Sequence, residues 1–329
     1  MHTRRNLMLA LGAGALAAPL RSFAQQPAPG MHRIGFLGAT SAAGLGNRLD
    51  ALRAGLRELG YVEGKNLVIE FRWAESRYAR LAELAADLVR LNVSLIVTHS
   101  TPGVLAAKQA TTTIPIVIAE QGDAVATGVV TSLARPGGNI TGSTFFSPQL
   151  SAKRIELLKE VLPQMRRYGF LSNPDTSLMV RAALQEMGVT ARALKVELQA
   201  FDVRGPEEFE GVFAQMEKQG VTAIGVQGEP MLTANARLVA GNAARRRIAA
   251  IGDTAFADAG GLLGYGPDFS VLFRRAAVYI DKIFKGTKPG ELPIEQPTRF
   301  DMVVNLQTAA TLGLKIPQST FLRATRLIE

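Results

Sequence analysis

The chain has 329 residues, a formal net charge of +9 and no cysteine. The lack of cysteine excludes a disulfide framework, thiolate metal ligands and a lipid anchor on a cysteine side chain. At roughly 100–200 residues per domain, the length predicts two domains.

The first 24 residues are typical of a cleavable secretory signal. Arg4 and Arg5 precede an apolar stretch rich in glycine and alanine, and the small residues Ser22 and Ala24 mark a cleavage site. The arginine pair also resembles a twin-arginine signal, which directs the export of folded chains. We therefore expect a periplasmic protein that is cleaved near Ala24 and carries no lipid anchor.

After the signal, apolar segments that suit strands alternate with segments whose leucines recur at helical spacing. In the first half of the chain, this pattern predicts strands at 33–38, 66–73, 94–99 and 115–119 and helices at 47–60, 77–91 and 102–110. In the second half, it predicts strands at 167–174, 194–201, 222–228 and 248–253 and helices at 151–163, 177–188, 206–220 and 231–247. Regular alternation of this kind predicts two similar doubly wound α/β lobes, each built on a parallel sheet.

Polar side chains follow the predicted strand "LIVTH" at the point where a helix should begin. Ser100 and Thr101 stand there, directly before Pro102. In open parallel sheets, ligands bind beyond the carboxyl ends of the strands, and a helix N-terminus offers N–H groups and partial positive charge to an anion. The two hydroxyls are therefore candidate contacts for a ligand carboxylate, with capping of the helix as the structural alternative.

The same argument selects candidate binding residues at the ends of other strands and in the Gly- and Pro-rich segment between the lobes. These are Thr40, Ser41, Gln121, Asp123, Phe145, Asn173, Glu229, Asp253 and Tyr265. An amino-acid ligand carries an ammonium group that needs a carboxylate, and Asp123 is the first candidate, with Glu120 behind it. The structural alternative is that Asp123 caps a helix that starts near Ala126.

Long segments distributed over the chain resemble a known family. They include "GLRELGYVEGKNLVIEFRW", "SLARPGGNITG", "KRIELLKEVLP", "GGLLGYGPDF" and "RRAAVYIDKIFKGTKPGELPIEQPTRFDMVVNLQTAATLGLKIP". These segments are similar to ABC transporter substrate-binding proteins of the tryptophan- and tyrosine-binding type. The resemblance implies a type I periplasmic-binding-protein fold, in which crossing strands join two α/β lobes that close over a small ligand. The chain departs from the family at Ala124, where a proline is usual, at Ser172, where an aromatic residue is usual, and at Glu229, where an aspartate is usual.

The resemblance also implies discontinuous domains. After the signal at 1–24, we expect a first lobe of residues 31–140 and 262–297 and a second lobe of residues 141–261 and 298–329. The three connections between the lobes are expected at 139–146, near Gly252–Asp253 and at 298–305.

These features predict the substrate-binding component of an ABC importer. Such a protein binds a small zwitterion or carboxylate, with an aromatic amino acid favoured, and delivers it to a membrane permease. We expect no cofactor, no metal, no catalytic residue, no nucleic-acid partner and a monomeric chain. A sensor subunit for a receptor kinase and an enzyme on the same scaffold are the alternatives. The enzyme is disfavoured because His99 is the only histidine beyond the mature N-terminal tail, and neither a phosphate loop nor a G-x-S-x-G motif is present.

Overall fold

The computed structural model describes residues 30–145 and 147–329, so the expected signal and Phe146 lie outside the described residues. The strands are β1 (His32–Gly38), β2 (Leu67–Trp73), β3 (Leu95–His99), β4 (Ile116–Glu120), β5 (Ile140–Gly142), β6 (Arg167–Ser172), β7 (Glu197–Asp202), β8 (Ala223–Val226), β9 (Ala249–Gly252), β10 (Leu263–Gly266), β11 (Asp301–Asn305) and β12 (Arg326–Ile328). The helices are α1 (Gly46–Glu58), α2 (Leu81–Arg90), α3 (Ser100–Ala110), α4 (Ser147–Val161), α5 (Ser177–Ala193), α6 (Phe209–Lys218), α7 (Pro230–Ala234), α8 (Ala236–Arg245), α9 (Thr254–Asp258), α10 (Phe269–Phe284), α11 (Leu306–Leu312) and α12 (Gln318–Arg323). None of these described helices combines the length and apolarity that a membrane span requires.

A five-stranded sheet forms the first lobe, in the order β2-β1-β3-β4-β5 with parallel pairing throughout. Its central strands β3 and β4 are apolar runs buried on both faces, which is the usual pattern when helices cover both sides of a parallel sheet. Helices α1 and α10 pack on one face, and α2 and α3 pack on the other. The close approach of α1 and α10 requires Gly55, because a Cβ atom there would lie 2.8 Å from the carbonyl oxygen of Arg274.

The second lobe contains a seven-stranded sheet in the order β12-β11-β10-β9-β8-β6-β7. Its strands pair in parallel except for β10 with β11. Leu158, Tyr168 and Met187 lie in the core on the face covered by α4 and α5. Phe209 and Phe213 lie in the core on the face covered by α6 and α8. The predicted fold class, two α/β lobes built on parallel-rich sheets, is therefore confirmed.

The chain passes between the lobes three times, from β5 to α4, from β10 to α10 and from residue 295 to β11. The predicted connection near Gly252–Asp253 is wrong, and the return to the first lobe begins after Gly266 rather than at residue 262. The reason is that β10 pairs with both β9 and β11, so the chain remains in the second sheet through Gly266. At the first connection, pairing of β5 with β4 extends the first lobe to Gly142.

The single helix predicted at 231–247 is divided into α7 and α8. The two helices meet at Asn235, whose side-chain amide donates a hydrogen bond to the carbonyl oxygen of Met231 at 2.9 Å. Asparagine side chains compete with the backbone for hydrogen bonds, so this residue interrupts a helix whose apolar spacing would otherwise continue.

Candidate functional site

The carboxyl ends of the two sheets face each other across a cavity of about 50 Å³. The first lobe and its connection contribute Thr40, Leu45, Arg48, His99, Ser100, Thr101, Glu120 and Phe145 to the lining, and the second lobe contributes Thr176, Met179, Gln227, Glu229, Thr233 and Asp253. Phe269, the first residue of α10, also lines the cavity. Polar and charged groups from both lobes therefore converge on one cavity.

Ser100 lies at the turn between β3 and α3 in a strained conformation. Its φ is 61°, in the left-handed region that residues other than glycine rarely adopt, and the residue is 8% exposed. Its Oγ has no hydrogen-bond partner among the described residues, and His99 at the N-cap provides no side-chain cap. The first turn of α3 therefore presents N–H groups without helical partners, partial positive charge and a hydroxyl at the cavity. Strain of this kind recurs at binding sites, and these groups suit a carboxylate.

His99 and Glu120 form a buried pair at the ends of the central strands. The Nε2 atom of His99 accepts the backbone N–H of Ala39 at 3.2 Å, so the proton of the neutral ring lies on Nδ1. This Nδ1 atom is 3.4 Å from Oε1 of Glu120. An irregularity in β3 after Thr98 places the two residues side by side across the sheet. Nδ1 of His99 makes no hydrogen bond among the described residues, so the Glu120 carboxylate remains able to accept hydrogen bonds from other donors.

Arg48 connects the two lobes through charge contacts. Its guanidinium nitrogens lie 3.8 Å from Oε1 of Glu120 and 3.6 Å from Oδ2 of Asp253, and its Cζ lies 4.5 Å from the centre of the Phe269 ring. Both charge contacts exceed hydrogen-bond length. Oδ1 of Asp253 accepts the backbone N–H of Phe256 at 2.9 Å, whereas Oδ2 faces the cation. The two carboxylates therefore retain capacity to bind another cationic group.

Glu229 binds other parts of the protein through both carboxylate oxygens. Oε1 accepts the N–H of Leu232 in α7 at 2.5 Å, and Oε2 accepts the hydroxyl of Tyr78 and, at 3.3 Å, the side-chain amide of Asn173. Burial raises the pKa of this carboxyl above its ordinary value, although the three donors favour the ionised form. Glu229 therefore takes part chiefly in the contact between the lobes.

One wall of the cavity is apolar. The rings of Phe145 and Phe269 meet edge to face with their centres 5.4 Å apart, and Met179 of α5 adds a thioether from the second lobe. An aromatic ring packs favourably on other aromatic rings and on a thioether. This wall therefore suits a flat apolar side chain.

Seven of the predicted residues lie in the cavity lining: Thr40, Ser100, Thr101, Glu120, Phe145, Glu229 and Asp253. Asn173 lies behind the lining, where it donates to Glu229. Gln121 is fully buried outside the lining and donates to Thr127 at 2.8 Å. Ser41 accepts the N–H of Gly44 at 3.2 Å within a turn.

Asp123 and Tyr265 also lie outside the cavity lining. Oδ1 of Asp123 accepts the backbone N–H groups of residues 125 and 126 at 3.2 and 2.9 Å, so this side chain caps a turn. Tyr265 belongs to β10, where its ring stacks on Phe300 at 6.2 Å and its carbonyl oxygen accepts hydrogen bonds from Arg154.

Arg48, Met179 and Phe269 also line the cavity, although they are not among the residues predicted from the sequence. Arg48 offered a usable signal, because a cation in the first turn of a helix opposes the helix dipole and needs a compensating partner. Met179 and Phe269 offered none, since apolar residues on a helix are usually core residues.

Known proteins resemble this chain over most of its length. The family described as ABC transporter substrate binding protein matches residues 34–328. A tyrosine-binding protein of Clostridioides difficile is 24% identical over 262 residues, which cover 79% of this chain and 74% of that protein. The crystal structure of an ABC domain in complex with L-Trp from Streptococcus pneumoniae is 25% identical, with a TM-score of 0.81, and the match covers 90% of this chain and 100% of the other. A conserved domain protein from Vibrio cholerae is also 25% identical, with a TM-score of 0.84 and coverage of 90% and 99%.

The family match begins within the first strand and ends within the last one. The matched structures share the fold of two α/β lobes, and the family consists of binding proteins rather than enzymes. The chain therefore belongs to the ABC transporter substrate-binding protein family and has the type I periplasmic-binding-protein fold.

Proposed function

We propose that this protein captures an aromatic amino acid between its lobes in the periplasm and delivers it to the permease of an ABC importer. One observation carries the proposal. The strained turn at Ser100, which suits a carboxylate, and the carboxylates of Glu120 and Asp253, which suit an ammonium group, line one cavity. A zwitterion complements both ends of such a site.

The carboxylate of the ligand would bind at the N-terminus of α3. There it would accept hydrogen bonds from the first-turn N–H groups and from the Ser100 hydroxyl, whose Oγ is buried without a partner in the described chain. Thr40 and Thr101 line the same part of the cavity and add hydroxyl groups. Charge-assisted hydrogen bonds of this kind are about twice as strong as neutral ones.

The ammonium group of the ligand would bind between Glu120 and Asp253. Their contacts with Arg48, at 3.6 to 3.8 Å, are too long to saturate either carboxylate. Glu229 is a weaker candidate, because three donors from the protein already occupy its oxygens. Asp123 is weaker still, because its carboxylate caps a turn.

The side chain of the ligand would pack on the apolar wall formed by Phe145, Phe269 and Met179. The preference for an aromatic amino acid is also supported by two relatives, whose names specify tyrosine and L-Trp. A ligand that contacts both lobes favours the closed arrangement by its differential affinity for that state, and the three connections between the lobes allow the movement.

The proposal can be tested by isothermal titration calorimetry on the protein purified from the periplasm of an expressing bacterium. The panel contains L-tryptophan, L-tyrosine, L-phenylalanine and L-leucine, with tryptamine and indole-3-propionate as analogues that lack one charged group. We expect the aromatic amino acids to bind and both analogues to bind at least about tenfold more weakly, because each leaves one end of the site unpaired.

The Ser100→Ala variant should weaken L-tryptophan binding by about tenfold, through loss of a hydrogen bond to a charged group. Its matched control is Ser94→Ala, an exposed serine that precedes the opposite end of the same strand β3. Tryptamine that binds as tightly as L-tryptophan would exclude the carboxylate site. Failure of every aromatic amino acid to bind would refute the proposed ligand class.

A further inference from the structure

Arg48 lies where the cavity meets a second and larger space. A groove of about 790 Å³ runs between the lobes beside the cavity, whose own volume is about 50 Å³. The residues that line both spaces are Gly44, Leu45, Arg48, Thr233, Asp253 and Phe269. Arg48 therefore forms part of the boundary between the cavity and the larger groove.

The cavity has room for a few water molecules, because one water needs roughly 10–15 Å³ on this measure. Pockets that hold small-molecule ligands occupy roughly 300–1,000 Å³. A side chain or a lobe must therefore move before an aromatic amino acid can fit. Among the described lining residues, Arg48 carries the only guanidinium or ammonium group, and its long flexible side chain can withdraw toward the groove.

The contacts of Arg48 are those that the proposed ligand would make. Its cationic group lies near Glu120 and Asp253, the carboxylates available to an ammonium group, at 3.8 and 3.6 Å. Its planar group lies over Phe269 at 4.5 Å, on the wall available to an aromatic ring. These contacts are loose, and the position of Arg48 in the first turn of α1 opposes the helix dipole.

We infer that Arg48 is an internal substitute for the ligand. Its side chain occupies the ammonium and ring positions of the site, and the ligand displaces it on binding. The inference rests on the proposed function and deepens it. A ligand displaces Arg48 without loss only when it brings both a cation for the two carboxylates and a ring for Phe269. An aromatic acid displaces Arg48 at a cost, because it would leave Glu120 and Asp253 uncompensated.

Calorimetric titration of Arg48→Gln tests this competition. The variant removes the internal cation, so L-tryptophan should bind about tenfold more tightly than to the unmodified protein. Indole-3-propionate should gain affinity by a similar factor, because it too must displace Arg48 from Phe269. The matched control is Arg53→Gln, because Arg53 lies on the same helix, pairs with Glu63 at 2.8 Å and packs on another phenylalanine outside the cavity. The control should bind L-tryptophan as the unmodified protein does.

A second measurement does not depend on the identity of the natural ligand. Methylguanidinium at millimolar concentration should raise the Tm of Arg48→Ala, by filling the vacated position, and should leave the Tm of the unmodified protein and of Arg53→Ala unchanged. Weaker or unchanged binding of L-tryptophan by Arg48→Gln would overturn the inference while the proposed function stands. If the unmodified protein binds no amino acid, the proposed function fails, and the methylguanidinium result alone then decides whether Arg48 fills a cation site.

Discussion

Tyr78 of the first lobe donates its hydroxyl hydrogen to the carboxylate of Glu229 in the second lobe. The same hydroxyl oxygen accepts the backbone N–H of Met231 at 3.2 Å. Glu229 also caps α7 and accepts a hydrogen bond from Asn173. The observed arrangement of the two lobes is thus held in part by a contact that belongs to the protein and requires no ligand.

The Tyr78→Phe variant should close less readily. Loss of this hydrogen bond removes about 1 kcal/mol from the closed state, which corresponds to about fivefold weaker ligand binding and a faster dissociation rate. Calorimetry and stopped-flow measurement of L-tryptophan release would measure both effects. Tyr61→Phe is the matched control, because the Tyr61 hydroxyl donates to Asp281 within the first lobe at 3.0 Å. Equal effects of the two substitutions would show that Tyr78 has no special role in closure.

Ligand affinity should fall as the pH rises, through Glu229. Burial raises the pKa of this carboxyl above the ordinary value of 4.5 in the closed state, so the closed state holds its proton more tightly than an open or unfolded chain does. Protonation of Glu229 stabilises the closed state fully below pH 4.5, and this stabilisation is lost as the pH rises through the raised pKa of the carboxyl group. Titrations of L-tryptophan between about pH 5 and pH 8 should show weakening that Glu229→Gln reduces. An identical pH profile in the variant would assign the effect to other groups.

Ser100 should lower the stability of the fold through its backbone and strengthen ligand binding through its hydroxyl group. Its left-handed backbone, with φ of 61°, costs about 1–2 kcal/mol in a residue that has a Cβ atom. Ser100→Gly relieves that cost, offset in part by the greater entropy of an unfolded glycine, and should stabilise the fold by about 0.5–1 kcal/mol. The variant should nonetheless bind L-tryptophan about tenfold more weakly, because it lacks the hydroxyl.

Denaturant unfolding and calorimetry would measure the two effects of Ser100→Gly separately. Lys195→Gly is the control, because Lys195 is exposed at the end of α5 and has a φ of 55°. It should gain similar stability without any change in binding. Unchanged binding by Ser100→Gly would remove this turn from the ligand site.

Gly142 should tolerate no side chain at the first connection between the lobes. Its φ is 132°, and a Cβ atom there would overlap the backbone of Ile118 in the neighbouring strand β4. Gly142→Ala should destabilise the fold by about 3 kcal/mol or more, through strain and disrupted pairing of β5. Gly128→Ala is the control, because its φ is 69° but no atom lies within 4 Å of the added Cβ, so it should lose only about 1 kcal/mol. Equal losses in denaturant unfolding would mean that the overlap is relieved without cost.

The alternation of apolar strands and amphipathic helices was sufficient to predict the two α/β lobes, because each element carries its own period and its own end signals. Ser100 and Asp253 could be selected from sequence, because the carboxyl ends of parallel strands meet at one edge of a sheet. Asp123 also follows a strand, but the next turn captures its carboxylate.

The sequence by itself thus determined the element types, the doubly wound lobes and the edge of each sheet where polar groups gather. The tertiary structure alone decided which of those groups share the cavity, since this depends on the docking of two lobes through three connections. Tyr78 meets Glu229 across 151 positions of sequence, and Arg48 of the first lobe meets Asp253 of the second. No local spacing encodes such pairs, because their geometry depends on the rigid packing of residues that are far apart in the chain.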